Sequence, residues 1–224
     1  MGTESEYKIQ RYSKRIMFQR VLWMILWNLT IRPFPRALMS KWEIVILRFL
    51  GAKIGKNCRV YSSARILIPS YLEMEDWTTL ADHTIISNSR LFKMKKYSVF
   101  SQYSAAYCGG HNIFKTDFAS EAAPITLEEY SWVASHCYIG DGVTIGRGAR
   151  IGGNSAVRKS IPPYAIAFGN PCKIVGFRFS PSETIKFENE RFDENERLSE
   201  DLLKHNYDKY FLKRINEIKT FLKN

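Results

Sequence analysis

An aliphatic residue stands at every sixth position from Leu127 through Val133, Ile139, Ile145 and Ile151 to Val157. A helix would scatter these side chains around its circumference, and one continuous strand would bring polar or small residues to the inward positions between them. A coil of three short strands satisfies the pattern. Each six-residue step makes one flat side, with its aliphatic residue and the small residue four places later pointing inward. Gly or Asn is expected to take the left-handed backbone conformation at the corners, as in Ile139-Gly-Asp-Gly-Val-Thr and Ile151-Gly-Gly-Asn-Ser-Ala.

The same phase runs upstream. Ile54, Val60 and Ile66 mark one coil, Met74, Leu80 and Ile86 a second, and Met94, Phe100 and Ala106 a third, with coil starts twenty residues apart. The rhythm breaks at about 110–124, a stretch with its own His, Asn, Lys, Thr and Phe residues. Long excursions from a compact repeat are uncommon unless they are used. The expected fold is therefore mainly β, a parallel β-helix over 51–178 with a protruding loop at 110–124. A helical segment precedes it (1–50) and a helical tail follows (179–224).

In the N-terminal segment, a dense apolar run from Ile16 to Trp27 ends at Pro33 and Pro35, and a second run from Trp42 to Leu50 stops at Gly51. The longest uninterrupted apolar stretch, Val21 to Trp27, is far too short to span a bilayer. Two readings follow. The apolar residues cover the end or side of the β-helix, or, with Lys14, Arg15, Arg20, Arg32 and Arg36 beside them, they lie on a membrane surface. In the tail, Ser180-Pro-Ser-Glu is a helix start, and Leu198 to Leu222 repeats apolar residues at spacings of three and four.

Composition excludes more than it assigns. With 45% hydrophobic and 25% charged residues the chain is neither disordered nor a polytopic membrane protein. Its 33 Lys+Arg against 22 Asp+Glu give a net charge of +11, which favours anionic partners. No nucleic-acid-binding signature focuses that charge, so nucleic acid is not expected. Cys58, Cys108, Cys137 and Cys172 fall in no metal-ligand spacing, and no metal is expected. The N-terminus matches neither a secretory signal nor a myristoylation motif. These features predict a cytoplasmic protein, with the inner face of the membrane as the site the N-terminal helices allow.

The six-residue runs, the segment Cys108-Gly-Gly-His-Asn and the later Ile161-Pro-Pro-Tyr-Ala-Ile-Ala-Phe-Gly-Asn-Pro-Cys-Lys-Ile-Val resemble the left-handed β-helix acyltransferases. The resemblance is nearest to the colanic-acid-type and the galactoside- and maltose-type O-acetyltransferases. Arg32-Pro-Phe-Pro and Leu47-Arg-Phe-Leu-Gly-Ala-Lys-Ile-Gly extend it upstream, so that it covers about residues 20–178. It implies left-handed winding of the β-helix, acetyl-CoA as donor, a sugar, sugar-nucleotide or lipid-linked glycan as acceptor, and a homotrimer whose grooves lie between subunits. Polysaccharide assembly, as in capsule, exopolysaccharide or O-antigen, is the implied setting.

Acetyl transfer to a hydroxyl needs a base for the alcohol proton and a donor for the oxyanion. Among His83, His111, His136 and His205, His111 heads the excursion after two glycines, and the resemblance makes it the base. His136 reads as a corner residue. Asp82, His83 and Asn88 are acceptor-side candidates. Carried over by position, Ser135 and Gly153 line the pantetheine groove, Trp132 walls it, Arg158 and Lys159 meet the phosphates and adenine end, and Lys173 takes the basic place of the closing motif. Arg147 and Arg150 add to the positive charge expected around an anionic ligand. An amino-sugar N-acetyltransferase, an antibiotic acetyltransferase and a non-catalytic binding scaffold are the alternatives. The Gly-rich steps follow no βα unit, so a P-loop or dinucleotide fold is excluded. The histidine spacing does not match a carbonic-anhydrase-like zinc site.

Overall fold

The computed structural model describes residues 12–34, 36–111, 119–213 and 215–216, without the side chains of residues 36–38 and 40. Helix α1 (Lys14–Leu26) runs through a π-turn (Trp27–Ile31) and is followed by α2 (Arg36–Phe49). The first coil comprises β1 (Lys53–Ile54), β2 (Arg59–Val60) and β3 (Arg65–Ile66). β4 (Leu72–Met74), β5 (Thr79–Leu80) and β6 (Ile85–Ser87) make the second, and β7 (Phe92–Met94), β8 (Val99–Phe100) and β9 (Ala105–Tyr107) the third. An antiparallel ribbon of β10 (Gly110–His111) and β11 (Ser120–Glu121) interrupts the winding. It resumes with β12 (Ile125–Leu127), β13 (Trp132–Val133) and β14 (Tyr138–Ile139), then β15 (Thr144–Ile145), β16 (Arg150–Ile151) and β17 (Ala156–Val157). β18 (Ala165–Phe168) and β19 (Lys173–Phe177) close the stack, and α3 (Pro181–Arg191) and α4 (Glu200–Tyr207) follow.

Strands of successive coils pair in parallel and make a three-sided prism. On the first face Ile54 stacks on Met74, Met94, Leu127 and Ile145. On the second, Val60, Leu80, Phe100, Val133, Ile151 and Ala167 align, and on the third Ile66, Ile86, Ala106, Ile139 and Val157. All are buried, which is the packing that the six-residue period predicts. The small residues four places later are inside as well, among them Ala64, Thr78, Ser98, Ser104, Ser131, Ala149 and Ser155. Their hydroxyls are tolerated where they return hydrogen bonds to the turn: Thr78 donates to the Glu75 carbonyl (2.8 Å) and Ser131 to the Glu128 carbonyl (2.7 Å).

The corners differ from the expectation. Asn57, Gly142, Gly148 and Asn154 take the left-handed conformation, but so do Trp77, His83, Tyr97, Tyr103, Tyr130 and His136. An L-residue there costs roughly 1–2 kcal/mol. The compensation is contact between coils. Tyr97 stacks on Tyr130 at 4.9 Å, and Tyr103 lies between His83 (4.9 Å) and His136 (5.0 Å). These separations match the spacing of strands in a sheet, and each ring pair contributes about 0.5–1.5 kcal/mol beyond its buried area.

The N-terminal helices close the open end of the stack, as terminal caps of repeat proteins do. Trp23, Ile31, Ile46, Leu47 and Leu50 join the core beside Ile54, Val60 and Ile66, and the Trp23 indole donates to the Ile66 carbonyl at 2.8 Å. The opposite side of α1 and the π-turn is apolar too, with Met17, Phe18, Val21, Met24, Ile25 and Leu29 exposed. Among the described residues no helix is long and apolar enough to cross a membrane. Glu43 lies fully buried in this cap, and its carboxyl oxygens find no hydrogen-bond partner among the described residues. Burial pushes its pKa up to about 9.

At the other end, Ser180 and Glu183 form the capping box that starts α3. α4 is shorter than the apolar spacing predicts and gives way to a π-turn at Asp208–Leu212. Ile218, Phe221 and Leu222 lie outside the described residues.

Candidate active site

The excursion leaves the corner between the third and first faces. Its base is tied by the Ala123 amide, which donates to the Cys108 carbonyl at 3.1 Å. Gly109 fits closely there, since a Cβ would stand 2.7 Å from the Ser89 hydroxyl and displace it; at Gly110 nothing among the described residues would obstruct one. His111 follows at once, exposed, on the ribbon strand opposite Ser120. Asn112 and the ribbon tip through 118 lie outside the described residues.

Several other predicted residues gather on a different edge, the corner between the second and third faces. Asp82 accepts a hydrogen bond from the Ser63 hydroxyl, and the Ser63 oxygen accepts from the His83 amide at 2.8 Å. His83 Nε2 is 3.8 Å from the Asp82 carboxylate, and its ring begins the His83–Tyr103–His136 stack. Ser135 precedes His136 on this edge. Gly153 lies one coil beyond, where a Cβ would come within 3.3 Å of the Ser135 carbonyl. That carbonyl accepts from the Asn154 amide at 3.1 Å. The acceptor-side pair and the two small residues assigned to the pantetheine groove therefore share one edge, spaced by coils about 5 Å thick.

The remaining residues do not converge on that edge. Trp132 projects from the second face, 40% exposed, with its indole bonded to the Ser101 hydroxyl at 2.8 Å. Arg158 and Lys159 are exposed beyond β17, and the Arg158 guanidinium is 5.9 Å from the Tyr138 ring. Lys173 opens β19, opposite Phe168.

Two readings need correction. Asn88 is fully buried, with its side chain accepting from the Ile68 amide (3.0 Å) and donating to the Ile68 carbonyl (2.8 Å). It holds a turn of the prism and cannot face an acceptor. Arg147 is likewise withdrawn from any ligand. It bonds Glu129 at 3.0 Å and Glu188 of α3 at 2.8 Å, while Glu188 also accepts from the Tyr164 hydroxyl. Sequence reasoning missed this cluster because Glu188 is 41 residues from its partner. The ring ladder was more accessible: its members recur three places after the inward aliphatic residues. Among the described residues no three His, Cys, Asp or Glu side chains converge as a metal site.

Residues 124–159 match the family model of the bacterial transferase hexapeptide (six repeats). The chain is 32% identical over 146 residues to the Escherichia coli K12 protein WcaF, assigned as a colanic acid biosynthesis acetyltransferase, and the match covers 65% of this chain and 80% of that one. Among solved structures, a galactoside acetyltransferase in complex with coenzyme A superposes with a TM-score of 0.67 at 18% identity, over 85% of this chain and 93% of that one. The Vibrio cholerae acetyltransferase VCA0836 complexed with acetyl coenzyme A gives 0.68 at 17%, over 77% and 94%. Both share the fold of this chain. With its stacked six-residue coils and its extensive identity to a curated relative, this chain belongs to the hexapeptide-repeat acetyltransferases.

Proposed function

We propose that the protein transfers the acetyl group of acetyl-CoA to a hydroxyl of a sugar or glycan intermediate, with His111 as general base. The observation that carries this reading is the position of His111, an exposed imidazole at the root of a ribbon thrown out of an otherwise regular prism. The imidazole takes the proton of the acceptor hydroxyl as its oxygen attacks the thioester carbonyl. Collapse of the tetrahedral oxyanion breaks the carbon–sulfur bond, and the imidazolium returns the proton to the departing thiolate.

The separation of the two edges supports a homotrimer. His111 stands at the third–first corner, while Asp82, His83, Ser135 and Gly153 stand at the second–third corner, one full face away. A site that uses both sets is completed when the ribbon of one subunit meets the edge of the next. Arg158, Lys159 and Lys173 then serve the rest of the donor. The exposed apolar side of α1, flanked by Lys14, Arg15, Arg20 and Arg32, supports work at an anionic membrane surface. Polysaccharide assembly fits both features.

The test is acetyl-CoA-dependent thiol release across free sugars, sugar nucleotides and oligosaccharides, for wild type and His111→Ala in parallel. Acceptor-dependent release that the substitution abolishes, with coenzyme A affinity retained, is the expected result. Failure to bind coenzyme A would sink the reading.

A further inference from the structure

Around the C-terminal coils the arginines fall into two groups. Arg147 is held by Glu129 and Glu188. Arg150, Arg178 and Arg191 converge instead on an open cleft of about 460 Å³, which they share with Tyr130, Trp132 and Phe187. Among the described residues no carboxylate pairs with any of these three. Each lies against a ring: Arg150 is 5.1 Å from the Trp132 centroid, Arg191 4.9 Å from Phe187 and 5.9 Å from Tyr130, and Arg178 4.9 Å from Phe179. Arg178 is further fixed by a bond to the Gly148 carbonyl at 3.1 Å. Burial, together with the nearby Arg150 guanidinium, holds Arg178 below the ordinary arginine pKa.

Guanidiniums gathered on a half-buried surface are stabilised by a shared anion, and their planar forks match phosphate oxygens two at a time. An exposed tryptophan face accepts a stacked base. The volume is within the range of small-molecule sites. The position is informative as well, since Trp132 stands on β13 and Ser135 follows three residues later, at the corner where that strand ends. We propose that this cleft binds the nucleoside diphosphate of a nucleotide-linked sugar, with the arginines on the diphosphate and the exposed Trp132 ring against the base. The purpose of this binding rests on the acetyl-transfer reading, because it presents the sugar hydroxyl beside the groove assigned to the thioester.

Calorimetric titration of the full-length protein with UDP, uridine and inorganic pyrophosphate tests it, for wild type, Arg178→Gln and Arg191→Gln. UDP is expected to bind more tightly than pyrophosphate or uridine, and each substitution to weaken UDP at least about tenfold, the loss of one charged hydrogen bond. Retained coenzyme A binding identifies variants that are folded. Three results would overturn the proposal: no UDP binding by wild type, equal binding by the arginine variants, or displacement of UDP by saturating coenzyme A, which would give the cleft to the donor. Arginine-dependent UDP binding without acetyl transfer would leave the cleft standing and remove the enzymatic reading. Acetyl transfer to free sugars without UDP binding would do the reverse.

Discussion

Two edges of the same prism have opposite character. The second–third edge is regular: His83, Tyr103 and His136 repeat one backbone conformation and stack coil on coil, with Ser135 and Gly153 beside them. The third–first edge is where regularity fails and the chain leaves to present His111. A ladder of identical corners gives a rigid surface with a fixed repeat, suited to an extended ligand. The broken edge places one side chain on a ribbon outside the repeat. On the reading proposed above neither edge suffices, and catalysis needs one of each from adjacent subunits.

The largest effect is expected at the broken edge. His111→Ala should lower kcat by about 10²- to 10⁴-fold, the usual contribution of a general base, while coenzyme A binding by calorimetry is unchanged. A parallel loss of coenzyme A affinity would make His111 part of the groove instead and dissolve the contrast. The division between subunits is tested by complementation. Co-expression of His111→Ala with Gly153→Trp, each inactive alone, should restore about one quarter of wild-type turnover in randomly mixed trimers. Activity that stays at the level of the single variants would place both residues in a site within one subunit.

A third prediction serves as a control at the N-terminal cap, away from both edges. The carboxyl of Glu43 is raised from 4.5 to about 9 in the folded protein. Between those values the native state holds a proton that the unfolded chain releases, so its contribution is fully present below pH 4.5 and is lost as pH rises toward 9. Glu43→Gln should therefore flatten the pH dependence of denaturant stability by up to about 1.4 kcal/mol per unit across that window. An unchanged slope would show that the carboxyl is ionised and solvated.

The smallest effect tests the ladder itself. Tyr103→Ala removes the middle ring but keeps a Cβ in the left-handed conformation, whereas Tyr103→Gly loses the ring and relieves the backbone. Thermal unfolding should find the glycine variant more stable than the alanine variant by about 1 kcal/mol. The reverse order would mean that the left-handed backbone carries no strain for the ladder to offset.

Most of the architecture was legible because the repeat is local. Each inward residue, from Ile54 to Val157, is specified by its six-residue step, and its partner one coil away carries the same kind of side chain. His111 could be singled out for the complementary reason, since it begins the stretch that breaks the step. Asn88 could not be judged, because a polar residue near a corner reads alike whether it faces solvent or, as here, holds the Ile68 backbone. Arg147 was misread among the ligand-facing cations because the charges that neutralise it arrive from a distant helix.

The sequence by itself determined the coil, its phase and the place of the excursion that His111 heads, since these depend on spacing along the chain, while the role given to His111 came from resemblance to a known family. Only the tertiary structure decided which polar residues face outward, that aromatic residues replace glycine at the corners, and that Asp82, His83, Ser135 and Gly153 share an edge from which His111 is absent. Those outcomes depend on contacts between coils twenty or more residues apart and on burial, which sets whether a charge is solvated, paired or left facing a ligand.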